Sequence, residues 1–234
     1  MVLLHLDNLQ LIWHPQQLHV ESFCKLKEVR VAFCKKLKTI VPSNSHGHLT
    51  NLKSLKVHDC GSLRHIFTAS IILGLDQLQE IEVKNCEVRV EFCEKLKTIV
   101  PSNSHGLLTF YNLEKLTVEN CWSMKSLFPV TIATGLMQLN HLYLFSCGLE
   151  KIVSEEEVNG APRFLFPQLT YIHLENLPKL KCFYSGLHTT EWPMLNNLAV
   201  YNCKKIKIYA SEFAGFEKKD DGESQPALFP LEKV

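Results

Sequence analysis

The sequence predicts an α/β solenoid, a curved parallel β-sheet on one face with short helices and loops on the other. Three observations carry this. Cys34, Cys60, Cys121, Cys147 and Cys203 each close the phrase Leu-x-x-aliphatic-x-aliphatic-x-x-Cys. The steps from Cys34 to Cys60, from Cys60 to Cys86 and from Cys121 to Cys147 are all 26 residues. Within each phrase the aliphatic residues alternate with others at the period of a strand, so one set faces inward and the other outward. A unit with one short strand and a return segment cannot bury its apolar face alone and must stack on its neighbours.

A repeat of this length and wording is a leucine-rich repeat. Taken in order, the first rung is Leu4, Leu6, Leu9 and Ile12, with Leu9 in the cysteine slot. Strands are then expected around residues 29–31, 55–57, 116–118, 142–144, 172–174 and 198–200, with Leu177 taking the slot before Cys203. Leu231 and Val234 open another rung. The return segments 67–74 (FTASIILG) and 128–135 (FPVTIATG) suit short helical turns closed by Gly in the left-handed region. Segments 43–47 and 102–106 read as polar loops, and 155–160 and 217–225 as solvated insertions. The whole, residues 1–234, is expected to be one domain of about eight rungs. With no polar capping unit at either end, it is expected to be a piece of a longer protein.

Composition favours a binding module. A chain of 234 residues that is 46% hydrophobic has ample core, and a net charge of +1 gives no electrostatic reason to expect nucleic acid or an anionic membrane. No run approaches the roughly 18 apolar residues of a membrane span. Asp7 interrupts the first apolar stretch, no signal-peptide pattern precedes it, and no Asn-x-Ser/Thr sequon occurs, which together point to the cytoplasm. Six of the nine cysteines (34, 60, 86, 121, 147 and 203) occupy the turn slot, while Cys24, Cys93 and Cys182 lie off the series. This one-per-rung placement predicts buried, reduced thiols. The eleven histidines never cluster with them at metal-site spacings, so no metal site and no catalytic pair is expected.

VRVAFCKKLKTIVPSNSHG, at 29–47, returns at 88–106 with two changes, Ala32 to Glu91 and Lys35 to Glu94. This points to a duplication of about two units. Its junction sets two versions of one phrase, IEVKNCE at 81–87 and VRVEFCE at 88–94, directly end to end. Two ladder strands cannot follow each other without a return segment, so one copy must bulge, and the sequence leaves open which.

The wording after the cysteine is Cys-x-x-Leu-(Lys/Arg)-x-Ile-(Phe/Val), as in Cys60, Leu63, Arg64, Ile66 and Phe67. It alternates with Phe-Pro-x-Leu-x-x-Ile-x-Leu-x-x-Leu-Pro-x-Leu-x-x-Phe, carried by Phe166, Pro167, Leu169, Ile172, Leu174, Leu177, Pro178, Leu180 and Phe183. Over essentially its whole length the chain resembles the C-terminal repeat region of plant coiled-coil, nucleotide-binding, leucine-rich-repeat disease resistance proteins. The resemblance implies protein partners: a pathogen effector, a guarded host protein or the receptor's own nucleotide-binding domain, whose switch the repeats restrain. The chain has no Gly-x-x-x-x-Gly-Lys-Ser/Thr loop, so ATP or ADP would belong to that other domain and no cofactor is expected here. The rival is an F-box-type ubiquitin ligase receptor. Its repeats continue Cys-x-x-Ile/Leu-Ser/Thr-Asp, whereas Lys38, Arg64, Lys97 and Lys181 follow the Leu here.

The strand positions between the aliphatics should line the concave sheet. The N-terminal rungs place a mixed-charge strip there, including Arg30, Lys56, Glu80, Glu82, Lys84 and Lys115, with Ser54, His58 and Thr117 among them. The later rungs are aromatic, and Tyr143, Phe145, Tyr171, His173 and Tyr201 are the candidate protein-binding residues. Neighbouring strands about 4.8 Å apart would join them into one patch.

Overall fold

The computed structural model describes residues 1–12, 23–40, 49–64, 66–67, 75–86, 96, 98–100, 110–155 and 160–206. In chain order its elements are β1 (Val2–Leu4), β2 (Glu28–Ala32), β3 (Ser54–His58), β4 (Glu80–Lys84), β5 (Lys115–Glu119), β6 (Phe128–Pro129), α1 (Val130–Ala133), β7 (His141–Phe145), β8 (Val153–Ser154), β9 (Arg163–Leu165), β10 (Tyr171–Glu175), β11 (Thr189–Glu191) and β12 (Asn197–Tyr201). Strands β1, β2, β3, β4, β5, β7, β10 and β12 pair in that order into one eight-stranded sheet, and every pairing is parallel. On the return side β6 pairs with β8 and β9 with β11. The expected strands are therefore present and stack as a leucine-rich-repeat solenoid. Each puts its two aliphatic residues inward, from Val29 and Val31 through Leu55 and Val57 to Ile172 and Leu174, all at 3% exposure or less. Burial on that scale is worth about 1.5–3 kcal/mol per large aliphatic side chain.

Each rung leaves the sheet through a residue in the left-handed region. His5, Phe33, Asp59, Asn85, Asn120, Ser146, Asn176 and Asn202 have φ between 50° and 58°. Five of the eight are Asn or Asp, the types that tolerate this backbone best after Gly. From His5 to Asn176, the N–H of each donates to the carbonyl that ends the next strand, at 2.9–3.1 Å, extending the ladder by one bond. The reversal then turns the following side chain inward. That side chain is the slot cysteine, whose Sγ donates to the carbonyl two residues back at 3.0–3.5 Å in all six cysteine rungs. A small apolar thiol with a weak donor fits a buried turn with a carbonyl to satisfy.

The same geometry corrects the first rung. Val2 pairs with Arg30 and Leu4 with Ala32, and His5 is the left-handed residue, so Leu6 rather than Leu9 holds the slot. Leu9 sits one turn on, donating to the Leu6 carbonyl at 3.0 Å as Leu37 does to Cys34 at 3.2 Å. Apolar residues recur at 3, 6, 9 and 12, so a frame shifted by three fits the sequence equally well.

At the duplication, the first phrase forms the ladder strand β4, and residues 87–95 lie outside the described residues. The step from Ile81 to Leu116 is consequently nine residues longer than the 26 from Leu55 to Ile81. Leu96 then takes the buried place that Leu37 and Leu63 hold in their rungs.

Segment 128–135 contains the expected short helix, α1, but opens with the strand β6, which was not expected, and its Gly does not close the helix in the left-handed region. Thr134 is the right-handed C-cap, and Gly135 donates to the Ile132 carbonyl at 3.0 Å. Among the described glycines only Gly160, in the expected insertion, has a positive φ. The expected helical turn at 68–74, the loops at 43–47 and 102–106, and everything from 207 onward lie outside the described residues, as do Cys93 and Lys97.

Cys34, Cys60, Cys86, Cys121 and Cys147 are free and buried at 0–2% exposure. Cys203, expected to be buried too, is only half-buried, because β12 is the outermost strand of the sheet. Burial pushes the Cys60 thiol up to about 12. Hydrogen bonding with Cys121, and burial second, raises Cys86 and Cys147 well above the ordinary thiol range. Alkylation of the native chain near pH 8, read by mass spectrometry, should therefore label Cys24, Cys182 and Cys203 well before Cys60, Cys86 and Cys147. Labelling of Cys60 at the rate of Cys182 would contradict the burial.

Candidate protein-binding surface

The parallel register aligns the first, third and fifth residues of every strand on the open face of the sheet. These positions are mostly half-buried and lie between the buried inward residues. Along the first four full-length strands the charged side chains satisfy one another. Glu80 receives Lys56 at 3.2 Å, Lys115 at 3.6 Å and the Ser54 hydroxyl at 3.1 Å. Burial acts to raise the Glu80 carboxyl, but Lys56, Ser54 and Lys115 outweigh it and hold it below the ordinary carboxylate range. Glu82 pairs with His58 at 2.5 Å and Lys84 at 3.7 Å, Lys84 reaches Glu119 at 3.4 Å, and Arg30 pairs with Glu28 at 3.4 Å. Partly exposed pairs of this kind, still in reach of solvent, are worth about 0–1 kcal/mol each, and they leave the strip with little uncompensated charge for a partner to meet.

The three later strands carry rings. Tyr143 lies 5.3 Å from Tyr171, centroid to centroid, and stacks within 10° of Phe145 at 6.3 Å. His173 lies 4.7 Å from Phe145, 6.3 Å from Tyr171 and 5.5 Å from Tyr201. The Tyr171 hydroxyl and His173 Nδ1 are 3.4 Å apart, and His173 Nε2 and Glu175 Oε2 are 3.0 Å apart. All five aromatic candidates are thus joined by direct contacts, with Tyr201 reached through His173. Aromatic pairs of this geometry contribute about 0.5–1.5 kcal/mol beyond area burial. The rings hold one another in place, so an arriving partner has little side-chain freedom left to quench.

Two members of the patch were not among those candidates. His141 stacks within 2° of Tyr143 at 6.0 Å and lies 6.2 Å from Tyr171. Its signal in the sequence was its outward position on the same strand as Tyr143. Lys115, read as part of the charged strip, also places Nζ 5.7 Å from the Tyr143 ring centroid and so joins the two halves. Thr117, expected to line the strip, is buried at 8% exposure, because a side chain this short lies below its longer neighbours.

A family model described as plant disease resistance protein RPS2-like, leucine-rich repeats, matches residues 1–55, 44–87 and 88–148. Among curated proteins, the chain is 30% identical over 154 residues to Probable disease resistance protein At1g12290 of Arabidopsis thaliana, covering 65% of this chain and 16% of that protein. It is 22% identical over 152 residues to Probable disease resistance protein At5g63020 of the same plant, covering 64% and 17%. To the Arabidopsis Disease resistance protein UNI it is 27% identical over 151 residues, covering 63% and 16%. The chain thus spans only a small fraction of the length of these relatives. No solved structure matches it. Among the described residues no helix is long and apolar enough to cross a membrane.

Proposed function

The chain belongs to the plant disease resistance protein RPS2-like leucine-rich-repeat family, and from that premise we propose that it is the protein-recognition module of an intracellular immune receptor. In this reading it senses a pathogen effector or an effector-modified host protein, and it restrains the receptor's nucleotide switch while none is present. Its work is binding rather than catalysis, in the cytoplasm, and ATP or ADP is held by the receptor's nucleotide-binding domain. The observation that carries the reading is the contrast across one sheet face: charges that cancel one another on β2 to β5, then interlocked rings on β7, β10 and β12. Pre-ordered tyrosines are the usual anchors of protein interfaces, and compensated charges contribute register more than affinity. The same surface can serve both tasks if the restraining domain and the effector compete for it.

Replacing Tyr143 and Tyr171 by Ala in the complete receptor is expected to weaken partner binding roughly thirtyfold per true hot spot, equivalent to about 2 kcal/mol, and to raise resting activity. Lys56→Ala and Glu82→Ala serve as controls and should leave both properties near their starting values. Unchanged binding and unchanged resting activity in a folded Tyr143→Ala, Tyr171→Ala receptor would refute the assignment.

A further inference from the structure

We infer that Glu175, Phe145, His173 and Tyr201 form a subsite for an arginine side chain of the docking protein; this rests on the reading of the sheet face as a docking surface. In the register Glu175 stands directly between Phe145 on one neighbouring strand and Tyr201 on the other. Glu175 is therefore flanked on both sides by aromatic residues whose backbones lie one strand spacing, ~4.8 Å, away. His173 contacts both of those rings and, with its side chain 18% exposed, is less open than Glu175 at 45% or Tyr201 at 56%.

Charge sets this point apart from the rest of the face. Among the described residues, Glu28, Glu80, Glu82 and Glu119 on this face each have a Lys or Arg within 4.0 Å, but Glu175 has none. Its Oε2 meets His173 Nε2, and its Oε1 has no partner among the described residues. The rings offer π-faces to a cation, and the free carboxylate oxygen supplies the opposite charge. A planar guanidinium meets both at once, its face on a ring and its edge on the carboxylate, which a compact ammonium cannot do.

The test titrates N-acetyl-arginine amide into the 234-residue chain and follows the aromatic ring resonances of Phe145, His173 and Tyr201 by NMR. N-acetyl-citrulline amide, of the same shape without the charge, and N-acetyl-lysine amide are run beside it. Arginine should shift these three rings and bind roughly tenfold more tightly than either comparator. Glu175→Gln should remove about that factor while leaving the core signals of Phe164 and Phe183 in place. The proposal is overturned if arginine produces no shifts or shifts elsewhere, if citrulline or lysine matches it, or if Glu175→Gln changes nothing. The titration needs no receptor partner and leaves Tyr143 and Tyr171 intact, so its outcome is separate from that of the proposed docking surface.

Discussion

Replacing Gly148 by alanine is expected to destabilise the C-terminal rungs by about 3 kcal/mol, among the largest effects of adding a single methyl group. The cause lies in the length of one turn. In most rungs the residue three after the slot donates back to it, as Leu63 does to Cys60 and Met124 to Cys121, each at 3.2 Å. The turn after Cys147 is one residue shorter: Leu149, only two places on, is the buried residue, and Gly148 instead donates to the Cys121 carbonyl of the preceding rung at 3.3 Å. That draws its Cα against the backbone of the preceding rung. A Cβ there would lie 1.7 Å from the Trp122 carbonyl oxygen and 2.7 Å from its carbon, and both are backbone atoms that cannot swing aside. Gly160→Ala is the control, because its φ of +90° carries strain but nothing lies within 4 Å of the added carbon. Its cost should stay near 1 kcal/mol. Urea unfolding of the two variants checks both values, and equal midpoints would contradict the account.

Phe183→Ala should cost about 3–5 kcal/mol. Phe183 is 2% exposed and packs on the return side against Phe164 at 5.1 Å, Trp192 at 5.4 Å and Phe166 at 5.7 Å, while its carbonyl accepts bonds from Ile152 and Val153. A cavity of about 10 Å³ lined by Leu127, Leu142, Phe166, Phe183 and Trp192 already adjoins it. Truncation would enlarge that void rather than let the site collapse. In a solenoid each rung leans on its neighbours, so hydrogen exchange should accelerate first around β7, β10 and β12 and least around β2 and β3. Uniform acceleration along the sheet would argue against rung-by-rung stability.

The strands and their inward faces were legible because a period of two aliphatics ending on a small slot residue leaves one workable register per rung. Where leucines recur every third residue, as from Leu3 to Leu9, two frames fit, and only pairing of Val2 with Arg30 selects between them. The tightness at Gly148 was not legible, since its one-residue deficit matters only against the Trp122 carbonyl of another rung. Gly135 illustrates the opposite error, a Gly at a helix end whose backbone needs no special freedom. For the site, alternation places Tyr143, Phe145, Tyr171, His173 and Tyr201 on one face. The same alternation puts His141 there too, but sideways contacts depend on rotamers and escape that rule, which is why its stacking on Tyr143 and the double role of Lys115 were not legible.

The central claim is that partners meet the aromatic half of the sheet face. It is tested most directly by photocrosslinking in the complete receptor, with p-benzoylphenylalanine placed at Tyr201 or at Arg30. Both are well-exposed positions on that face, Tyr201 on the outermost strand and Arg30 on the second strand from the other edge, so either label should be accommodated. The account predicts crosslinks to the effector, to the effector-modified host protein or to the receptor's own nucleotide-binding domain from position 201, with few from position 30. Crosslinks concentrated at position 30, with none at 201, would contradict it.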